Sequence, residues 1–398
     1  MPQKVTINRI SLSAFRNYSA ATLALDGRHV VLTGENGSGK TNLLEAISFL
    51  SPGRGLRRAV YADVNQQGAE TGFSIFAEVD GMDGPVATSW AVAATLDTPE
   101  GRLAIGTGIE PAKSEGGLPR RVVRIDGRPA ASQSALGHHI AAVWLTPQLD
   151  RLFLDGASER RRFLDRLVLS LDPTHGRRAA DFERAMKMRN KLLEDGRYDP
   201  DWMRGIEKQM AGLGVAMAIA RSELLSLLTH LGDRGEIGAA FPAADLALSG
   251  FLDEAQGFPA LDLEDRYAGM LEEGRYRDQA AGRTLDGPHR ADLIVTHRQK
   301  AIEASLCSTG EQKALLTGLV LSHAQLTANM TGAAPILLLD EIGAHFDAAR
   351  RAALFDLIGH IGGQAFMTGT DRHLFESLGG RAQAFTVAHG TIYGANDR

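Results

Sequence analysis

Cysteine is nearly absent: Cys307 is the single one in 398 residues. One thiol cannot close an internal disulfide or by itself hold a structural zinc, so the staples of small extracellular domains are excluded. An excess of positive charge is also missing. Lys and Arg number 43 against 48 Asp and Glu, a formal net charge of −5. The chain is therefore no basic nucleic-acid coat, and any polyanion site has to be a local patch. Aromatic residues make up only 6%, and none interleave with basic runs as a single-strand stacking platform requires. The most apolar stretch, Gln209 to Ala220, lies between Lys208 and Arg221, short of the roughly 18 residues of a membrane span. Met1 to Ile10 alternates in polarity, so no signal peptide is expected. Together these absences predict a cytoplasmic protein with no membrane partner.

What remains is a globular composition, 44% apolar and 23% charged, which can bury a sizeable core and excludes global disorder. The length admits roughly two to four domains, or one large domain carrying an insertion. Val5, Ile7, Ile10 and Leu12 predict a first strand, Ala21 to Leu25 a second and Arg28 to Thr33 a third. A helix pattern follows in Leu43, Leu44, Ile47 and Leu50. Alternation returns from Gly72 to about Ile125 (Phe73, Ile75, Ala77, Val79, then Val122), predicting mostly antiparallel structure, with Gly101 to Pro119 read as a Gly- and Pro-rich loop. From Ser158 to about Arg283 the pattern is helical. Met203, Ile206, Met210, Leu213, Met217, Ala220, Leu224, Leu227 and Leu231 step by three and four, the seam of two wound helices or, as the alternative, one face of an ordinary bundle core. Ala179, Phe182, Met186, Arg189 and Leu193 are its expected partner. Strands are predicted at Leu293 to Val295, Ile302 to Leu306, Pro335 to Asp340 and Gln364 to Thr368, and helices over Gln312 to Ala328 and Ala348 to Ile361.

Gly34-Glu35-Asn36-Gly37-Ser38-Gly39-Lys40-Thr41 fits the phosphate-binding pattern G-x-x-x-x-G-K-[ST], with a strand before it and a helix after. Small residues let successive backbone N–H groups turn toward phosphate oxygens, Lys40 neutralises the β and γ phosphates, and the Thr41 hydroxyl faces Mg²⁺. Asp340-Glu341 ends the apolar run Ile336 to Leu339. A carboxylate pair at the end of a buried strand is costly unless it meets a cation. Beside a P-loop strand, Asp340 would hold Mg²⁺ and Glu341 would orient or deprotonate the attacking water. Ser308-Thr309-Gly310-Glu311-Gln312 leads into a helix and reads two ways: as a capping box, or as a second phosphate contact at a helix N-terminus.

These three motifs, in this order, resemble an ABC-type ATPase head with Walker A, signature and Walker B segments. The gap of about 300 residues between Lys40 and Asp340 is similar to that of the SMC-like group, in which a helical arm is inserted into the head. Phe15-Arg16-Asn17-Tyr18, Gly34 through Glu45, Arg161-Arg162-Phe163-Leu164-Asp165, Gly287-Pro288-His289-Arg290, Ser308 through Lys313 and Leu339-Asp340-Glu341 resemble the RecF family of bacterial recombination mediators. The resemblance implies an α/β fold, an ABC-type P-loop ATPase head with a short helical arm. Its parts would be residues 1–155 and 286–398 for the head and 156–285 for the arm. It implies ATP and Mg²⁺ as cofactors and an ATP-induced homodimer. In that dimer Ser308, Gly310 and Glu311 would complete the other subunit's nucleotide site. Asp347 matches the D-loop aspartate, Gln148 stands where the Q-loop is expected and would touch Mg²⁺ or water, and Arg16 would reach the nucleotide or DNA. The implied function is weak ATPase-driven switching in recombinational repair and replication restart. The implied partners are double-stranded DNA near single-strand gaps, RecR and the RecO pathway. Another SMC-like ATPase acting on DNA ends or chromosomes is the alternative. The sequence departs from the pattern at Cys307, at Ala291 and after Thr368, where Thr370 and Asp371 precede His373; the phosphate sensor there is expected to be a threonine.

Basic clusters at Arg54, Arg57 and Arg58, at Arg120, Arg121, Arg124 and Arg128, and at Arg160 to Arg162 are candidate DNA contacts of the backbone-directed kind. The last has a rival use, pairing with Asp155, Glu159 and Asp165 along one helix.

Overall fold

A computed structural model describes residues 3–65, 73–74, 87–110, 120–196, 198–233, 235, 240–251 and 257–394. Ile75, Ala77 and Val79 of the expected alternation lie outside them. Among the described residues the α-helices are, in chain order, α1 (Lys40–Ser48), α2 (Ala157–Leu171), α3 (His175–Asp195), α4 (Pro200–Asp233), α5 (Ala260–Glu273), α6 (Arg275–Ala281), α7 (Thr309–Thr331) and α8 (Ala348–Ile361). The chain divides into two compact units, Met1–Leu149 with Val320–Arg398, and Asp150–Leu319; the division falls inside α7.

The first unit holds two six-stranded sheets. One is antiparallel around Thr6–Phe15 and Ala91–Thr98. The other runs in the order Ala142–Leu145, Ile336–Leu339, Ala365–Gly369, His29–Thr33, Ala382–Ala388, Thr391–Gly394, parallel except for its last strand. Three of its four inner strands carry buried apolar runs (Ile336 to Leu339, Val30 to Leu32, Ala365 to Met367), as strands covered on both faces do. Ile7, Ile10 and Leu12 from the antiparallel sheet, Leu43, Leu44 and Ile47 from α1, and Leu338 and Phe366 from the parallel sheet share one core.

Two expectations for this unit are corrected. Gly101–Glu110 is not loop but a ten-residue strand, paired with both Ala91–Thr98 and Arg120–Ile125. Its glycines suggested a turn, but with both ladders occupied the backbone is fixed from either side, and Ile105 and Ile109 are buried. Residues 111–119 lie outside the described residues. The acidic-pair strand also does not adjoin the P-loop strand. Ala365–Gly369 lies between them, with Leu339 opposite Met367 and Thr33 opposite Gly369.

In the second unit α4 packs on α3 and α5. Of the expected seam Met203, Ile206, Met210, Met217, Leu224 and Leu231 are buried, but Leu227 is 38% exposed, and Gly214, Ala218, Arg221, Leu225 and Leu228, outside the seam, are buried as well. A helix covered on several sides belongs to a bundle rather than a two-stranded seam. By length and composition α4 could cross a membrane, but half of its most apolar window is buried and it carries buried Arg221 and Glu207. A strand, Ala244–Ser249, also interrupts the expected helical run and pairs with Asp292–His297; the predicted strand Ile302 to Leu306 shortens to Ile302–Glu303 before a 3₁₀ turn.

Charges tie this unit together. Arg221 clasps Asp165 with Nε and Nη2 and donates to Pro288 O at 2.7 Å. Asp165 also meets His175 at 2.9 Å. Burial pushes the Asp165 carboxyl up, yet bonds from His175 and Arg221 outweigh it and hold it at about 2. Arg189, the single polar member of the expected α3 stripe, is fully buried. It donates to Glu207 at 3.0 Å, Asp278 at 2.7 Å, Thr284 Oγ1 at 2.9 Å and Leu271 O at 2.6 Å. Arg189→Ala leaves buried Asp278 without its cation and should destabilise the protein by about 3–5 kcal/mol, read as a lowered midpoint in urea unfolding; a loss under about 1 kcal/mol would contradict this accounting.

Candidate functional site

The strand His29–Thr33 delivers the chain to Gly34, whose φ of 149° and close approach to its neighbours suit glycine alone. A Cβ there would stand 2.2 Å from Val387 O. The loop closes at Gly39 (φ 121°), where a Cβ would meet Asn17 Nδ2 at 2.6 Å and Tyr18 Oη at 2.8 Å. Those two side chains hold the loop from behind: Asn17 Nδ2 donates to Ser38 O at 3.0 Å and Tyr18 Oη to Gly39 O at 3.0 Å. Gly390 N donates to Ser38 O at 3.2 Å as well. Carbonyls drawn backward leave N–H groups on the opposite side, the arrangement an anion needs. Burial raises the Tyr18 phenol far above its ordinary value, so it stays a neutral donor. In the sequence Asn17 and Tyr18 both belong to the Phe15–Tyr18 segment, whose resemblance to the family is the signal for them; in the fold it is a turn in which Arg16 takes φ 56°.

Lys40 is 5% exposed. Its ammonium donates to Gly34 O at 2.6 Å and Glu35 O at 2.8 Å. Burial pulls its pKa down, opposed by the charges of Glu341 and Asp340. Thr41 Oγ1 stands 3.0 Å from both Asp340 oxygens. Asp340 Oδ1 also accepts from Thr368 Oγ1 at 2.7 Å, and the same hydroxyl accepts from Glu341 N at 2.8 Å. Burial raises the Asp340 carboxyl above its usual range, against the bonds from Thr368 and Thr41. Glu341 follows in the left-handed region, φ 53° and ψ 28°. Beside the loop a cleft of about 900 Å³ is lined by Gly34 to Ser38, Thr370, Asp371, Arg372, Thr386 and His389.

Arg16 does not point its guanidinium freely outward. It forms a two-pronged pair with Glu45, at 2.9 and 2.8 Å, and donates to Asp63 O at 2.7 Å. Glu45 is fully buried on α1 and also takes Arg57 at 3.0 Å, whose Nη1 donates to Asn42 at 2.7 Å. One buried carboxylate thus anchors two arginines, the kind of hydrogen-bonded pairing a buried charge requires. Glu45 was legible only as an acid inside the apolar pattern of α1.

Gln148 is exposed on a 3₁₀ turn, Pro147–Arg151. It follows Leu145, which is paired with Leu339, the residue before Asp340. Asp347 caps α8, accepting from Arg350 N at 2.8 Å. In the second unit Ser308 and Glu311 form the capping box: Ser308 N and Oγ donate to Glu311 Oε2 at 3.0 and 2.9 Å, and Glu311 N donates to Ser308 Oγ at 3.4 Å. Lys300, bonded to that carboxylate, and Ser308 bring it down to about 2. Outside its own helix backbone and chain neighbours, no described heavy atom lies within 4 Å of where a Cβ would stand at Gly310.

Of the basic residues, Arg54, Arg58 and Arg120 are exposed, while Arg121 is a structural clamp and leaves the candidate DNA face. It donates to Gly53 O at 2.5 Å, Gln133 at 2.7 Å, Thr107 Oγ1 at 2.9 Å and also Phe49 O, capping the end of α1. Arg124 donates to Gly127 O at 3.1 Å. Arg160 pairs with Asp292 at 2.7 Å, Arg161 donates to Ala291 O at 2.6 Å and Arg162 pairs with Glu159. That cluster serves mainly the second unit's own packing, with Asp292 rather than the expected neighbours on α2 holding Arg160.

The model of the RecF/RecN/SMC N terminal domain matches residues 6–392. The chain is 62% identical over 392 residues to the DNA replication and repair protein RecF of Rhizobium rhizogenes, covering 98% of this chain and 99% of that one. It is equally 62% identical over 393 residues to the protein of the same description from Agrobacterium fabrum, covering 98% and 99%. Solved structures of the recombination mediator protein RecF of the RecFOR pathway, described as RecF-ATPrS and RecF-ATP, share the fold at TM-scores of 0.82. They are 20% and 19% identical and cover 99% of this chain. With a matched model across the body of the chain and such identity over nearly its full length, the chain belongs to the RecF family.

Proposed function

We propose that this protein is an ATP-gated DNA-binding protein of replication and recombinational repair, acting in the cytoplasm. ATP drives two copies together, the dimer grips duplex DNA near single-strand gaps, and slow hydrolysis releases it. The observation that carries the reading is the meeting of Lys40 and Thr41 at the start of α1 with Asp340 and Glu341 at the end of a parallel strand, beside a loop whose Ser38 and Gly39 carbonyls are drawn away. The named activity of the RecF relatives, and the RecF-ATP description of the structural neighbours, support it.

The residues fit the triphosphate and its metal. Ser38 Oγ is buried with no hydrogen-bond partner among the described residues, a donor awaiting an acceptor. Gly34 and Gly39 keep the cradle free of side chains. Thr41 and Asp340 offer a hydroxyl and a carboxylate, the hard oxygen ligands Mg²⁺ prefers, and Gln148 would stand near them. Bound Mg²⁺ would neutralise charge on the phosphates. Lys40 would transfer its ammonium from the Gly34 and Glu35 carbonyls to the phosphates, and the loop N–H groups from Gly34 to Gly39 (Glu35, Asn36 and Gly37 included) would hold them. Glu341 would take a proton from, or orient, the attacking water. Ser308, Gly310 and Glu311 would approach from the second copy, with Asp347 at that boundary. RecR and the RecO pathway are the proposed protein partners.

For DNA, Arg54, Arg57, Arg58 and Arg120 are the proposed phosphate contacts, with Arg121 holding the loop from which the first three project. Arg16 would act through Glu45.

Lys40→Ala should abolish ATP-dependent dimerisation and DNA retention, measured by size exclusion and filter binding; DNA binding that still responds fully to ATP would refute the coupling. Glu341→Gln should trap the ATP dimer while reducing hydrolysis by roughly 100-fold or more; a variant that stays monomeric with ATP contradicts the scheme. Arg54→Ala and Arg120→Ala should each lower the slope of log affinity against log salt by about 1, and unchanged slopes would remove them from the DNA face.

A further inference from the structure

The strand Ala365–Gly369 ends in a hydroxyl to which the scheme above gives no part. Thr368 is fully buried. Its Oγ1 donates to Asp340 Oδ1 at 2.7 Å and accepts from Glu341 N at 2.8 Å. A threonine hydroxyl has one proton, and here that proton is already given to a carboxylate. Thr368 therefore cannot read a phosphate without releasing Asp340. Thr370, two residues on, is the threonine that lines the cleft beside the P-loop.

The topology explains why a hydroxyl is needed at this point. Because Ala365–Gly369 separates the P-loop strand from the acidic strand, its end lies between the two halves of the site. Glu341 takes left-handed backbone angles, which a residue with a side chain keeps only when its surroundings hold it there. Its N–H is held by Thr368. Asp340 Oδ1 is shared between Thr368 and Thr41, while Oδ2 meets Thr41. One side chain thus fixes the rotation of the first carboxylate and the backbone from which the second departs.

We infer that Thr368 is a positioning residue for ATP hydrolysis, a lock that sets Asp340 and Glu341 relative to each other and leaves phosphate sensing to Thr370. The inference rests on the reading of Asp340 and Glu341 as the carboxylates of hydrolysis.

The test compares Thr368→Val, which keeps shape and loses the hydroxyl, with Thr368→Ser, which keeps the hydroxyl and loses a methyl. Full-length proteins are assayed for steady-state ATP hydrolysis across a Mg²⁺ titration, and for nucleotide binding by equilibrium dialysis without metal. Thr368→Val should lower kcat about 10–100-fold and shift half-activation to higher Mg²⁺, the usual cost of losing a group that orients a metal-binding side chain. Metal-free ATP affinity should stay within about 3-fold, because the lock touches neither Lys40 nor the loop N–H groups. Thr368→Ser should recover most of the kcat. Wild-type turnover in Thr368→Val overturns the inference, and so does an equal fall in both variants, which would assign the effect to packing. Should the valine protein fail to fold, Thr368→Ala takes its place against the same serine comparison. Glu341→Gln, run alongside, separates the two claims. If it hydrolyses ATP at the wild-type rate, the underlying reading falls and the inference with it. If it is inactive while Thr368→Val turns over normally, only the inference falls.

Discussion

The Thr41 hydroxyl and the Asp340 carboxylate lie 3.0 Å apart although about 300 residues separate them in the chain. That contact depends on a parallel sheet ending its strands at one level. An ionisable group at the end of the buried run Ile336–Leu339 is unfavourable in isolation, and the fold answers with two hydroxyls, Thr41 and Thr368, on strands or helices that come from different parts of the sequence. Burial still raises the Asp340 carboxyl. Two neutral donors do not fully replace the water it lost, and a nearby cation would complete what they leave undone.

The P-loop is shaped by the same economy of donors and acceptors. Its outward carbonyls are taken up by Asn17, Tyr18 and Gly390, and by the Lys40 ammonium. Thus the turn Phe15–Tyr18 and the hairpin after Ala382–Ala388, remote in sequence, both serve the loop. Glu45 extends this arrangement along α1. Its carboxylate holds Arg16 on one side and Arg57 on the other, so the turn that braces the loop and the basic segment after α1 are joined through a single buried group. A change at either arginine leaves Glu45 a partner, whereas a change at Glu45 takes the charge partner from both and leaves Arg16 the Asp63 carbonyl and Arg57 the Asn42 amide.

How much of this could be read in advance follows from which interactions are local. The Gly34–Thr41 motif, the apolar run before Asp340 and the extent of α8 were legible because the local sequence encodes them. The strand Gly101–Glu110 was not, since its glycines are tolerated only because strands on both sides hold the backbone. The interposed strand Ala365–Gly369 was equally hidden. Periodicity identifies a strand but not its neighbours. Arg121 looked like a cation awaiting phosphate; only the fold reveals the carbonyls of Phe49 and Gly53 that occupy it. Arg189 stood out as a polar member of an apolar stripe and Arg221 only as the end of an apolar stretch, and their acidic partners come from other segments, Asp278 and Asp165.

The two readings of Ser308–Glu311 turn out to be compatible. The capping box is present, but a cap satisfies only some of the N–H groups at the start of α7, since the first turn of any helix lacks intrahelical acceptors. It also fixes the direction of the rest. Gly310 adds no side chain and has open space where a Cβ would sit. Glu311 would repel an incoming phosphate if its charge stood alone, yet Lys300 is bonded to it and offsets that charge at short range. A capped, charge-compensated helix start therefore suits the phosphate contact proposed above, because little ordering of its first turn remains to oppose it.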